Sequence, residues 1–240
     1  SENHAKKNWQ TVCRPTSRWS GRLRAARSGA TQRRVRWLRM DSDAVGAAYD
    51  QLAERWLDDR FPTENGLSQH TRALSFPQQR GGAALNVGCG CNTRLNQLLR
   101  EHGLSPEGVD VSARMIELAR AADPTTPVHQ ADICEWALPR NYRFISAWDS
   151  IWHVSLKKQR ALLLKLMGAL EPNGVLLFSA GGLDNPAEHT DSHMGPCLYY
   201  ASLGIPELMR AIHEGGCVCR HLEFDQLPEK HLVIIVQRAT

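Results

Sequence analysis

The 240 residues carry 29 Lys or Arg against 25 Asp or Glu, a formal net charge of +4, with 42% hydrophobic content, enough for one sizeable core plus an extension. The charge is unevenly placed: residues 1–39 hold 11 bases and one acid, Glu2, whereas residues 40–240 hold 18 bases and 24 acids, a body that disfavours long polyanionic substrates. No 18-residue apolar run is present to span a membrane, and seven cysteines in an odd, widely spaced set do not form a small disulfide scaffold; reduced thiols and a soluble, cytoplasmic location are expected.

The basic segment 1–39 admits three readings: an upstream or expression-derived extension to a protein whose natural start is Met40, a basic arm for RNA or another polyanion with Trp9, Trp19 and Trp37 available for stacking, or a cleavable transit segment. Residues 22–39 have the composition of a helix. Residues 40–80 are expected to form a helical lid: Val45, Ala48, Tyr49, Leu52, Ala53 and Trp56 recur at helical spacing, and a second helix over residues 66–76 carries His70 and Arg72, either weak ligand contacts or a solvated pair.

The domain proper is expected over residues 81–240. Ala83, Ala84, Leu85 and Val87 form the short apolar run of a buried strand, which enters Gly88-x-Gly90 and then a helical pattern at Leu95, Leu98 and Leu99. A glycine turn between strand and helix lets a ligand approach bare backbone and the amides that open the helix. Twenty positions after Gly90, residues 108–111 read as a second strand carrying Asp110, the spacing at which nucleotide-binding folds place an acid for ribose hydroxyls. Ser112 caps the helix that follows. Thr93 stands where a dinucleotide fingerprint requires a third glycine, which argues against a nicotinamide or flavin dinucleotide.

Residues 127–132 read as a third strand and 142–148 as a fourth, the latter running into Trp148-Asp149-Ser150-Ile151-Trp152-His153 at the carboxyl edge where ligands sit. A helix over residues 156–170, a Glu171-Pro172-Asn173-Gly174 turn and a strand at 175–178 follow. Residues 181–202 form a long polar loop bearing Glu188, His189, Asp191, His193, Tyr199 and Tyr200, the expected substrate segment. A helix at 206–214 and strands at 218–224 and 232–236 close the chain as a hairpin.

In these motifs the sequence resembles the class I S-adenosylmethionine-dependent methyltransferases, whose first motif runs acid-x-Gly-x-Gly-x-Gly. Gly88 and Gly90 fall on it, Asn86 replaces the acid, and Asn92 replaces the last glycine. The resemblance covers residues 83–238 and implies a seven-stranded, mostly parallel doubly wound α/β sheet with an antiparallel last strand and N-terminal helices. It also implies S-adenosylmethionine as cofactor, near Tyr49, Asn86, Gly88, Cys89, Gly90, Asp110, Val111, Asp132, Ile133 and Trp148. A Tyr-bearing first helix in this family folds over the methionine end, and Asp132 with Ile133 would meet the adenine.

The same sites have bland readings: a lid or edge helix packed by Tyr49 and Trp56, a capping Asp132, core tryptophans, a buried His153. As functional groups, Asp149, His153 and His189 are candidate catalytic residues, and Trp152, Tyr199 and Tyr200 candidate substrate contacts. His189-x-Asp191-x-His193 has metal-ligand types without an evident third fixed partner, so no metal is expected. The expected function is methyl transfer to a small-molecule acceptor. The alternative is a noncatalytic S-adenosylmethionine-binding or RNA-binding module, or an RNA methyltransferase, contacting nucleic acid only through residues 1–39.

Overall fold

A computed structural model describes residues 41–57, 62–77 and 80–240; the basic segment, its tryptophans and the helix expected over 22–39 lie outside the described residues. The apolar run before the glycine turn becomes β1 (Ala83–Val87), which pairs in parallel with β2 (Ser105–Asp110) and β4 (Tyr142–Ala147). In the same sense β3 (Val128–Gln130) adds to β2, and β5 (Leu170–Gly181) to β4. The chain closes with β8 (Cys217–Phe224) and β9 (His231–Arg238), β9 running antiparallel to both β5 and β8. The resulting order, β3-β2-β1-β4-β5-β9-β8, is the expected seven-stranded sheet. Its strand order reverses between β1 and β4, and a doubly wound sheet opens its ligand crevice at such a point.

Alternation along the strands builds two cores. Leu85, Val87, Leu176, Phe178, Ile234 and Val236 pack on one face with α5 (Leu156–Gly168) and α6 (Ile205–Glu214). Ala84, Val175, Leu177, Val233 and Ile235 pack on the other with Ala73 of α2 (Leu67–Ala73) and Leu99 of α3 (Arg94–Glu101). Two further helices reach the crevice. In α1 (Ser42–Leu52) the Asp41 side chain accepts the Ala44 amide, and in α4 (Ala113–Ala122) the Ser112 hydroxyl accepts the Met115 amide.

Three expectations are corrected. Residues 181–202 are not a long loop: β6 (Ala187–Asp191) and β7 (Leu198–Ser202) form an antiparallel hairpin that pairs His189 with Tyr200 and Thr190 with Tyr199. Ala48 and Leu52 of α1 pack on this hairpin through Met194 and Leu198, which covers its apolar positions. The turn at residues 171–174 lies inside β5, where the pairing with β4 shifts register and Asn173 takes φ 62°, so it bulges the strand without ending it. His70 is no ligand contact. It is wholly buried, donates Nδ1–H to the Gly66 carbonyl and accepts from the Ser146 hydroxyl, while burial lowers its pKa to about 4. Arg72 pairs with Glu223 on the surface.

Candidate active site

The carboxyl ends of β1, β2 and β4, the start of α4, helix α1 and the β6–β7 hairpin enclose a cavity of about 940 Å³. Apart from His70 and Arg72, every candidate residue named from the sequence lines it, from Tyr49 and Asn86 through Asp149 and His153 to Tyr200. Proximity does not give them equal roles.

At the β1 turn, Gly88 takes φ 66° and Gly90 φ 55°. The Gly90 amide donates to Asp110 Oδ2 at 2.9 Å and the Ser112 amide to Oδ1 at 2.9 Å, so the carboxylate is fixed at the crevice lip. Burial raises the Asp110 pKa, and the amides of Ser112 and Gly90 pull against it. Beyond β3, Asp132 Oδ1 accepts the Cys134 amide at 2.8 Å and Ile133 is buried beside it. Cys89 enters through its backbone: its side chain packs against Gly108, and burial raises its thiol pKa well above the ordinary value.

After β4 the geometry separates residues that the sequence grouped. Trp148 is 5% exposed and sits edge-on to His70 and His231, mostly in the core behind the crevice. His153 donates Nδ1–H to the Tyr199 carbonyl at 2.8 Å, and its Nε2 accepts from the Tyr49 hydroxyl at 2.8 Å and the Trp152 indole at 3.1 Å. Burial lowers its pKa to about 4 despite the Tyr199 bond, so it is a neutral acceptor near neutral pH and a weak base. Its evident work is to orient Tyr49 and Trp152. Asp149 takes φ 51°, a left-handed conformation costing about 1–2 kcal/mol in a non-glycine residue. Its carboxylate accepts from His231, Ser179 and Asn65.

On the hairpin, His189 and Asp191 share a strand face, 3.6 Å apart, and His189 stacks on Tyr200 with ring centroids at 5.2 Å. The Tyr199 hydroxyl donates to Glu188 and accepts the Leu156 amide; its pKa rises to about 12, first through burial and then through Glu188. No group of three or more His, Cys, Asp or Glu among the described residues is arranged to hold a metal ion. Sequence reasoning missed Asn65, Arg94, Gln159, Asp225 and His231. Arg94 donates to the Asn65 carbonyl at 2.9 Å, while buried Gln159 ties the carbonyls of Ile151 and Val154 to that of Ala201, joining the His153 turn to the hairpin.

Glycine turn, facing acid and switch-point cavity together define a doubly wound α/β protein built around a nucleotide-type crevice. The family model described as "Methyltransferase domain" matches residues 53–201, and the chain belongs to that family. It is 27% identical over 100 residues to a dTDP-3-amino-3,6-dideoxy-alpha-D-glucopyranose N,N-dimethyltransferase of Streptomyces fradiae, covering 41% of this chain and 39% of that protein. It is 30% identical over 122 residues to a trans-aconitate 2-methyltransferase of Paracidovorax citrulli (strain AAC00-1), covering 49% and 45%. The match thus spans less than half the length of either relative. Among solved structures, the fold resembles Burkholderia thailandensis 1,6-didemethyltoxoflavin-N1-methyltransferase, with TM-score 0.62, 14% identity, 92% of this chain and 99% of that one. Among the described residues, no helix is long and apolar enough to cross a membrane.

Proposed function

We propose that this chain is an S-adenosylmethionine-dependent methyltransferase with a small-molecule acceptor. The observation that carries the reading is Asp110, a carboxylate held by backbone amides, Gly90 and Ser112 foremost, at the mouth of the cavity, where it can accept from vicinal ribose hydroxyls. The lining fits the rest of the nucleoside: the Asp132 carboxylate, at the cavity wall, is an acceptor for an exocyclic amine, and Ile133 offers an apolar cover for a purine face. When bound, the cofactor supplies a methyl group already activated on a sulfonium.

The chain's own task is then to hold a nucleophile in line and exclude water. Tyr49, Trp152 and Tyr200 wall the cavity around His153, and α1 closes against the hairpin. Neither His153, with its pKa near 4, nor Asp149, held by His231, is a strong base, which favours an acceptor needing no prior deprotonation, such as a neutral amine or a carboxylate. Both relatives are named for small-molecule acceptors, which agrees with this class. Where the acceptor is an amine, His189, on the hairpin and lining the cavity, takes the proton that the methylated ammonium sheds after transfer.

Calorimetry with S-adenosylmethionine, S-adenosylhomocysteine and NAD tests the reading: micromolar binding of the first two and none of NAD is expected. Asp110→Ala should weaken both by about ten- to a hundredfold through loss of charge-assisted bonds to ribose. An unchanged affinity would remove the Asp110 assignment. For the hairpin, His189→Ala should lower turnover by about a hundredfold with cofactor affinity within about twofold; equal losses in both would make it a packing residue.

A further inference from the structure

A buried ionic chain lies behind the β4 turn, outside the part of the crevice assigned to the nucleoside. His231, 1% exposed at the start of β9, directs Nε2 at Asp149 Oδ1, 2.9 Å away, and Nδ1 at Asp225 Oδ1. A carboxylate oxygen facing each ring nitrogen requires an N–H on both, so the ring is an imidazolium between two carboxylates and the cluster carries one net negative charge. Asp225 is nearly enclosed and also accepts the Gln69 amide at 2.8 Å. Asp149, with its side chain 23% exposed, is the member that reaches the cavity, and its Oδ2 receives only a 3.4 Å bond from Asn65. The excess negative charge is therefore presented there.

Strand order says what that charge can meet. The sequence β3-β2-β1-β4 sets Asp132, Asp110, the Gly88 turn and Asp149 side by side along one edge of the sheet, strands being about 4.8 Å apart. Gly88 and Ser150 touch, since a Cβ on the glycine would lie 2.3 Å from that of Ser150, so the β1 and β4 turns form one continuous floor. An arm leaving a ribose at Asp110 and crossing the β1 turn arrives at Asp149. In S-adenosylmethionine and S-adenosylhomocysteine that arm ends in an α-ammonium. Asn86, two residues before Gly88 on the strand beside β4, lines the same floor and brings no charge to it.

We infer that Asp149 is the anion that recognises the cofactor's α-ammonium, with His231 and Asp225 as positioning residues that hold its carboxylate ionised and aimed into the cavity. The inference rests on the proposed cofactor. His231 touches no ligand in this arrangement; it acts through Asp149.

The test compares S-adenosylhomocysteine with 5′-methylthioadenosine, which keeps the adenosine and a thioether but lacks the aminocarboxypropyl arm, by calorimetry on the full chain. Asp149→Asn should weaken S-adenosylhomocysteine by about ten- to a hundredfold and leave methylthioadenosine within about twofold. His231→Gln should shift the two ligands in the same unequal way by about three- to tenfold, and retained methylthioadenosine binding certifies that each variant is folded. Equal weakening of both ligands, or unchanged S-adenosylhomocysteine affinity in Asp149→Asn, overturns the inference while leaving the cofactor reading intact. A wild-type chain that binds neither S-adenosylhomocysteine nor S-adenosylmethionine overturns the cofactor reading itself and the inference with it.

Discussion

Replacing Gly88 with Ala is expected to lower the melting temperature by about 10 °C, roughly 3 kcal/mol in a chain of this size. Two costs combine. The residue sits at φ 66°, where a Cβ costs about 1–2 kcal/mol. The added methyl also lands 2.3 Å from the Ser150 Cβ and 3.1 Å from its Oγ, and contacts under 3.0 Å force backbone movement. Ser150 has little room to give, because it follows Asp149, itself at φ 51° and tied through its amide to Ser179. Gly90→Ala is the control. It has a similar φ of 55°, yet its nearest neighbour is the Met115 sulfur at 4.0 Å, so only the conformational cost of about 1–2 kcal/mol applies. Differential scanning calorimetry of the two variants decides the matter: equal shifts would mean that the β1 and β4 turns are not in the contact described.

The contrast between these glycines also marks what the sequence could disclose. Strand, glycine turn, helix and the acid at Asp110 are local features, each set by a few neighbouring residues, and they appear where their spacing puts them. The β6–β7 hairpin was read as a loop because β6 carries no apolar face of its own to mark it as a strand. Ala187–Asp191 alternates between half-covered and exposed positions, and its cover comes from α1, far away in sequence. His231 was invisible for a different reason. It lies 82 positions from Asp149 and meets it only because β9 inserts between β5 and β8, a consequence of strand order that no spacing rule encodes. The surroundings of His153 and Asp149 were illegible by the same token. Residue type suggested two bases, but the partners that occupy them, Tyr49, Tyr199 and His231, arrive from other elements.

Stability should fall as pH rises from about 6.5 through 9, by roughly 3 kcal/mol attributable to His231. Burial alone would lower the pKa of this ring, and the bonds to Asp149 and Asp225 outweigh burial and lift it to about 9 from an ordinary 6.5. Below pH 6.5 the group is protonated in both the folded and unfolded chain, and its contribution is fully present. Between the two values only the folded chain holds the proton, so each step upward in pH favours unfolding; above 9 the contribution is gone. Asp149 works in the opposite window. Burial would raise its pKa, but the His231 bond and charge hold it below the ordinary carboxylate range, so its contribution is lost only as pH falls through that depressed value. Urea denaturation of wild type and His231→Gln at pH 6, 8 and 10 isolates the cluster, since groups that do not touch His231 titrate alike in both and only its partners Asp149 and Asp225 differ. The wild-type advantage should shrink steadily across the series, whereas parallel curves from pH 6 to 10 would show that His231 is not held as an imidazolium between its two carboxylates.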